Sequence, residues 1–104
     1  MKFLVQATHG PGFMSPGEAA QMLKNLVLPT FDIILGWEKD NRSIGGLPAG
    51  ARAFALVIEA DSNQALDAML RSLPLWGLLQ WEVTPLVSFA DRAALERAQL
   101  QSLS

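Results

Sequence analysis

The chain has 104 residues, enough for one domain with a hydrophobic core. Eight lysines and arginines stand against ten aspartates and glutamates, so the net charge is −2, and no basic run marks a nucleic-acid surface. The absence of cysteine excludes disulfides and thiolate chemistry, and His9 is the only histidine. We therefore expect no cofactor, no metal and no nucleic-acid partner.

Half of the residues are hydrophobic and only 17% are charged. This is a high hydrophobic content for so small a soluble domain. The longest apolar stretch, residues 26–35, is broken by Pro29 and Asp32 and is shorter than the roughly 20 residues of a membrane span. The N-terminus lacks the apolar length and cleavage site of a signal peptide. We expect a soluble, cytoplasmic protein whose excess apolar surface is covered by another subunit.

The first half of the chain predicts a strand followed by an interrupted helix. Residues 2–8 alternate like a strand and end in a turn at residues 9–12. Ser15, Pro16 and Glu18 have the spacing of a capping box that starts a helix. Pro29 breaks the helical pattern, which predicts a kink or a new segment. Residues 31–37 are apolar nearly all round, which favours cover by a partner chain.

The second half predicts three strands and two helices. Residues 38–44 are polar enough for an edge strand, and a glycine-rich loop, residues 45–50, leads into a central strand at 52–60 that is apolar on both faces. Asp61 and Ser62 cap a helix over residues 63–73, and Pro74 ends it. A closing strand follows at about residues 80–89, and Asp91 opens a last helix through Leu103.

This order predicts the fold class α+β: a ferredoxin-like βαββαβ arrangement with an antiparallel sheet, helices on one face and an extra C-terminal helix. We expect one domain, residues 1–104, with the strand order 4-1-3-2. The open face of the sheet stays partly apolar, so the chain should form a face-to-face homodimer, a dimeric α+β barrel.

The second half of the chain, from about Ile44 through Phe89, also carries a family resemblance. Leu73-Pro74-Leu75-Trp76, Glu82-Val83 and Ala65-Leu66-Asp67 resemble the muconolactone delta-isomerase family. The resemblance implies a small dimeric α+β barrel that assembles into larger rings of dimers. It also implies a cofactor-independent isomerase, which shifts a proton next to the carbonyl of a lactone or another intermediate of aromatic catabolism.

Such a reaction needs a base, an acid and a donor for the enolate oxygen, and the candidates are few. Glu82 should project from the closing strand on the face opposite Trp81 and Val83, where an apolar cleft would make it a base. The alternative is a solvated strand glutamate. His9 ends strand one beside strand four, where it could share a cleft mouth with one end of that strand and shuttle protons. The alternative is a turn or capping residue.

Four further residues are candidates for a ligand pocket. Trp37, Trp76 and Trp81 could wall an aromatic pocket, or they could serve as core or interface residues. Asp32, which precedes two isoleucines, is either a buried base or a residue on the solvent-exposed side of its helix. Helix one is apolar where the isomerase is rich in charge. A non-catalytic small-molecule-binding or oligomeric accessory protein, and a cofactorless monooxygenase of the same barrel plan, therefore remain as alternatives.

Overall fold

The computed structural model describes residues 1–9 and 15–104, and the predicted turn at residues 10–12 lies outside them. Its strands are β1 (Lys2–His9), β2 (Ser43–Gly46), β3 (Ala53–Glu59) and β4 (Leu79–Leu86). They form one antiparallel sheet in the order β2-β3-β1-β4. The predicted strand order, in which strand one lies between strands three and four, is confirmed.

The first helical layer is built from three consecutive pieces. Helix α1 (Pro16–Met22) starts at Ser15, whose Oγ accepts a hydrogen bond of 3.2 Å from the Glu18 amide, as the capping sequence predicts. A π-helical segment, Leu23–Val27, then leads directly into α2 (Leu28–Lys39). Pro29 lies in the first turn of α2, where its missing N–H is tolerated, and the wider π turn relieves the ladder just before it. The predicted interruption at Pro29 therefore takes the form of a π segment.

The remaining helices are α3 (Asn63–Arg71), a 3₁₀ turn (Trp76–Leu78) and α4 (Phe89–Leu103). Ser62 caps α3 as predicted, with its Oγ 3.0 Å from the Ala65 amide. The start of α4 is different from the prediction. The helix begins at Phe89 and not at Asp91, because the Ser88 hydroxyl accepts a hydrogen bond from the Asp91 amide and takes the capping role.

The predicted edge strand is present as β2, but it spans Ser43–Gly46 and not residues 38–44. Helix α2 continues through Lys39 because Trp37 packs against the core, and only Ser43–Gly46 pairs with β3. Asn41, with φ of 58°, turns the chain between the two elements. Gly45 and Gly46, assigned to a loop from the sequence, belong to β2 itself.

Helices α2 and α3 pack on the same face of the sheet and enclose the core. Alternate residues of β1 and β3 face this layer, and the main core consists of Phe3, Val5, Leu56, Ile58, Ala60, Leu66, Leu70 and Leu73. No helix of the described residues packs on the opposite face of the sheet. On this open face lie Leu4, Val57 and Ile44, the last with 73% of its surface exposed. The architecture is the expected ferredoxin-like α+β fold with helices on one face.

Helix α4 extends away from the rest of the molecule. The structure measures 67 × 25 × 21 Å, and every residue of α4 except Ala93 is exposed. Phe89, the first residue of the helix, has 95% of its surface exposed. Within the described residues, no helix has both the length and the apolar character needed to cross a membrane.

Candidate functional site

An apolar cleft lies between the first helical layer and the end of the sheet where β1 ends and β3 and β4 begin. It has two lobes, which share Phe31, Leu47 and Phe54. The histidine lobe, about 200 Å³, is completed by His9, Met22, Leu23, Val27, Arg52, Leu75 and Leu79. The glutamate lobe, about 190 Å³, is completed by Ile34, Leu35, Glu38, Gly46 and Leu56. Together the lobes fall within the roughly 300–1,000 Å³ of small-molecule pockets.

Among the described residues that line the two lobes, three carry charged or titratable side chains: His9, Arg52 and Glu38. His9 is half-buried at the end of β1, and Arg52 immediately precedes β3. Their backbones are adjacent, because the His9 amide donates a hydrogen bond of 3.1 Å to the Arg52 carbonyl. Glu38, in the last turn of α2, borders the other lobe. The cleft therefore offers an imidazole and a guanidinium in one lobe and a carboxylate in the other.

Two aromatic rings form the junction of the lobes. Phe31 on α2 and Phe54 on β3 lie with their ring centroids 5.9 Å apart and their planes tilted by 56°. This tilted contact is a favourable arrangement for two aromatic rings, and it joins the helical layer to the sheet. Phe54 and Leu56 alternate with less buried residues along β3, so both side chains lie on the face of the sheet that the helices cover. The Phe31 and Phe54 rings therefore form part of the lining that the two lobes share.

Thr30 on α2 fixes the position of Leu75, which follows α3 and lines the histidine lobe. Its side chain is completely buried, and its Oγ1 accepts a hydrogen bond of 3.1 Å from the Leu75 amide. This bond satisfies an amide that would otherwise be buried without a partner, so it fixes Leu75 against the cleft. On the opposite wall, the π segment contributes Leu23 and Val27. The interruption caused by Pro29 thus lies within the lining of the site.

The two sequence-predicted catalytic residues lie on opposite faces of the sheet. His9 pairs with Leu79 and Glu82 pairs with Gln6. Glu82 is three positions after Leu79 along β4, and an odd step along a strand changes the face. His9 and the start of β4 share the cleft, as expected. Glu82 is exposed on the open face, opposite in direction to Trp81 and Val83, and borders a separate polar depression of about 300 Å³. The two side chains therefore do not form one site within a single chain.

The tryptophans do not line either lobe of the cleft. Trp37, Trp76 and Trp81 pack against the main core, because their large rings fill the space beside it. The Trp81 indole N–H donates a hydrogen bond of 3.0 Å to the Trp76 carbonyl. The Arg71 guanidinium lies 4.4 Å from the centre of the Trp76 ring. Asp32 is exposed on α2 and is also absent from the cleft lining.

Sequence reasoning missed most of the lining residues. The sequence predicted that the central strand is apolar on both faces, and nothing in it distinguished Phe54 as a residue of the cleft. Arg52 became a site candidate only when the pairing of β1 with β3 placed it beside His9. Among residues 1–9 and 15–104, no group of three or more imidazole or carboxylate side chains is arranged to hold a metal ion.

A four-stranded antiparallel sheet with helices on one face defines a ferredoxin-like α+β protein. Among solved structures, the chain is similar to a crystal structure of muconolactone isomerase. The two are 27% identical, with a TM-score of 0.69, over 85% of this chain and 90% of that chain. The chain therefore has a muconolactone-isomerase-like fold, which confirms the resemblance seen in the sequence. No protein-family model and no curated protein sequence matches it.

Proposed function

We propose that the chain is a cofactor-independent isomerase that moves a proton next to the carbonyl of a small lactone-like molecule bound in the cleft. The observation that carries this proposal is the position of His9 at an apolar cleft in a muconolactone-isomerase-like fold. Imidazole is the side chain best suited to accept and return a proton near neutral pH. An apolar lining strengthens its interaction with the substrate by excluding water.

Each polar group of the histidine lobe has a distinct proposed task. His9 removes a proton from the carbon between the carbonyl and a C=C bond, which gives a dienolate. It returns a proton to the far carbon of that dienolate, so that the C=C bond moves next to the carbonyl. Arg52 is a permanent donor, so it is suited to stabilise the negative charge on the enolate oxygen or to hold a substrate carboxylate. The reaction releases nothing and consumes nothing, because the same proton count is present before and after the shift.

Solvent deuterium exchange into muconolactone and related lactones, followed by NMR, tests this proposal. We expect exchange with the wild-type chain, a loss of at least 100-fold in His9→Gln on the scale of general acid–base catalysis, and unchanged exchange in Asp67→Asn, an exposed carboxylate on α3. Wild-type exchange no faster than buffer would overturn the isomerase proposal, and so would full activity in a folded His9→Gln chain.

Glu82 remains the rival base, at a different place. In a face-to-face dimer, a second copy would cover the open face and enclose Glu82 with Gln6 and Thr8, which border the same depression. The Glu82→Gln variant distinguishes the two sites. Exchange lost in Glu82→Gln and kept in His9→Gln would move the reaction to the dimer interface.

The proposed assembly is a homodimer or a larger homo-oligomer of this single 104-residue domain. Its support is the open face of the sheet, where Ile44 and Leu86 are 73% and 42% exposed, together with the exposed apolar side chains of α4. Light scattering after size exclusion measures the mass directly. A stable particle of 11.3 kDa would contradict the proposal.

A non-catalytic binding protein is the second candidate. The observation that favours it is the lining of the cleft, in which three of the described residues, His9, Arg52 and Glu38, carry titratable groups. Such a protein would bind lactones or aromatic acids and show no exchange. Measuring affinity and exchange on the same sample separates the two functions.

A further inference from the structure

We propose that the substrate is an uncharged, single-ring unsaturated lactone with a short apolar side chain, and that it binds in the histidine lobe alone. This inference rests on the proposed function and deepens it, because it names the class of lactone. Lactones with and without a carboxylate can undergo the same proton shift, so the reaction by itself does not determine the polarity of the substrate.

The histidine lobe has room for one small ring. Phe31 and Phe54, whose ring centroids are 5.9 Å apart, line both this lobe and the glutamate lobe, so their contact separates the two spaces. An apolar cavity of about 150 Å³ is enough to hold one benzene molecule. The histidine lobe, at about 200 Å³, therefore accommodates a five-membered lactone ring with a short side chain.

The lining of the histidine lobe favours an uncharged side chain on that ring. Of the ten described residues that line the lobe, eight have apolar side chains, and the other two are His9 and Arg52. A carboxylate placed against the apolar side chains would lose its water without gaining a hydrogen bond, which costs free energy. An alkyl group in the same place gains free energy by leaving water.

Arg52 does not change this preference, although it borders the lobe. It already interacts with another group of the chain. A carboxylate could pair with its guanidinium only by competing with that partner, so the pairing would return only part of the free energy that the carboxylate loses on leaving water. We therefore assign no substrate carboxylate to Arg52.

His9 places the ring within the lobe. The residue is half-buried at the end of β1, where it borders the lobe. The carbon that loses a proton and the carbon that receives one both belong to the lactone ring, so the ring lies beside the imidazole. The side chain on the ring then lies against the rest of the lining, which includes Leu23 and Val27 of the π segment.

Calorimetric titration with two lactones of matched size tests the inference on the full-length protein. Muconolactone carries a carboxymethyl side chain. The compound 5-isobutyl-2(5H)-furanone has the same unsaturated ring and an isobutyl group with as many non-hydrogen atoms and no charge. In both lactones the C=C bond is already next to the carbonyl, where the proposed reaction leaves it. We expect the isobutyl lactone to bind at least about tenfold more tightly, because its side chain needs no partner in the lobe.

A lysine in the lining should reverse part of this preference. Leu23→Lys adds a cation to the histidine lobe, so it should raise the affinity for muconolactone relative to the isobutyl lactone by about fivefold or more. Leu28→Lys is the matched control, and it should change this ratio by less than about twofold. Leu28 lies in the same helical layer outside the lining, and the two leucines are 45% and 53% exposed, so both variants should fold.

Three results would overturn the inference: muconolactone binding as tightly as the isobutyl lactone, no binding of either, or equal effects of the two lysine variants. Failure of the proposed function gives a different result. NMR measures conversion of 5-isobutyl-2(3H)-furanone, in which the C=C bond is one position further from the carbonyl, into the titrated isomer. Binding in the expected order without this conversion would reject only the reaction. Conversion of the carboxymethyl compound at least as fast as the isobutyl compound would reject only the substrate class.

Discussion

At the scale of single residues, Gly45 shows how a backbone contact shapes the site. Its φ is +153°, and a Cβ built at this position would overlap the carbonyl oxygen of Ala55 on the neighbouring strand. Glycine therefore permits the close approach of β2 to β3. The next two residues, Gly46 and Leu47, line the cleft. The spacing of these strands thus determines one wall of the binding site.

We expect Gly45→Ala to lower the free energy of unfolding by about 1–3 kcal/mol, the usual cost of a strained backbone residue. The matched control is Gly46→Ala, since nothing lies within 4 Å of a Cβ there, and it should change stability by less than about 0.5 kcal/mol. Urea unfolding at one fixed protein concentration measures both. Equal effects in the two variants would show that the contact with Ala55 has no energetic importance.

At the scale of elements, α3 is the helix most firmly joined to the core. Leu66 and Leu70, four residues apart, are both buried, so one stripe of the helix faces the sheet. The Ser62 hydroxyl accepts a hydrogen bond from the Ala65 amide in the first turn of α3. At the other end, the Ser72 hydroxyl donates an exposed hydrogen bond of 2.6 Å to the Met69 carbonyl oxygen. A lost bond should cost more at the N-terminus, because the Ala65 amide there is partly buried.

Ser62→Ala should therefore lower the free energy of unfolding by about 0.5–2 kcal/mol. Ser62→Asp should keep most of the stability, since a carboxylate also caps and interacts favourably with the helix N-terminus. Ser72→Ala removes a hydroxyl from the C-terminal end of the same helix and should lower the free energy of unfolding by less than Ser62→Ala does. Urea unfolding ranks the three variants, and an equal loss in Ser62→Ala and Ser72→Ala would contradict the expected difference.

At the scale of the whole molecule, α4 is the part with least support from its own chain. Its apolar side chains are turned to solvent, with 95% exposure for Phe89, 63% for Leu95, 66% for Leu100 and 75% for Leu103. A lone 15-residue helix is only marginally stable in water. In the proposed homodimer, a second copy would provide the surface that α4 lacks.

Removal of residues 89–104 should shift the proposed dimer toward monomer, because the exposed apolar side chains of α4 are removed with these residues. Light scattering over a range of micromolar concentrations measures this shift. A full-length variant with Leu95, Leu100 and Leu103 changed to serine is the matched test, since it keeps the chain length and should weaken the dimer in the same direction. Dimers of equal strength in all three proteins would exclude α4 from the interface.

The local pattern of the sequence determined most of the fold. Ser15 and Ser62 marked helix starts by their hydroxyls, Pro29 marked an interruption through its missing N–H, and the alternation of Phe54, Leu56 and Ile58 marked a buried strand. These signals depend only on residues near in sequence. The end of α2 was misjudged because packing of Trp37 on the core, a long-range effect, extends the helix beyond its polar residues.

Only the tertiary structure decided where the candidate site lies. His9 and Glu82 were both reasonable acid–base residues by type, but the pairing of β1 with β4 places them on opposite faces of the sheet. The pairing of β1 with β3 places the backbone of Arg52 beside that of His9. The tryptophans pack against the core. A residue's chemistry is fixed by its side chain, whereas its neighbours in a cleft depend on strand register, in which a shift of one residue reverses the face.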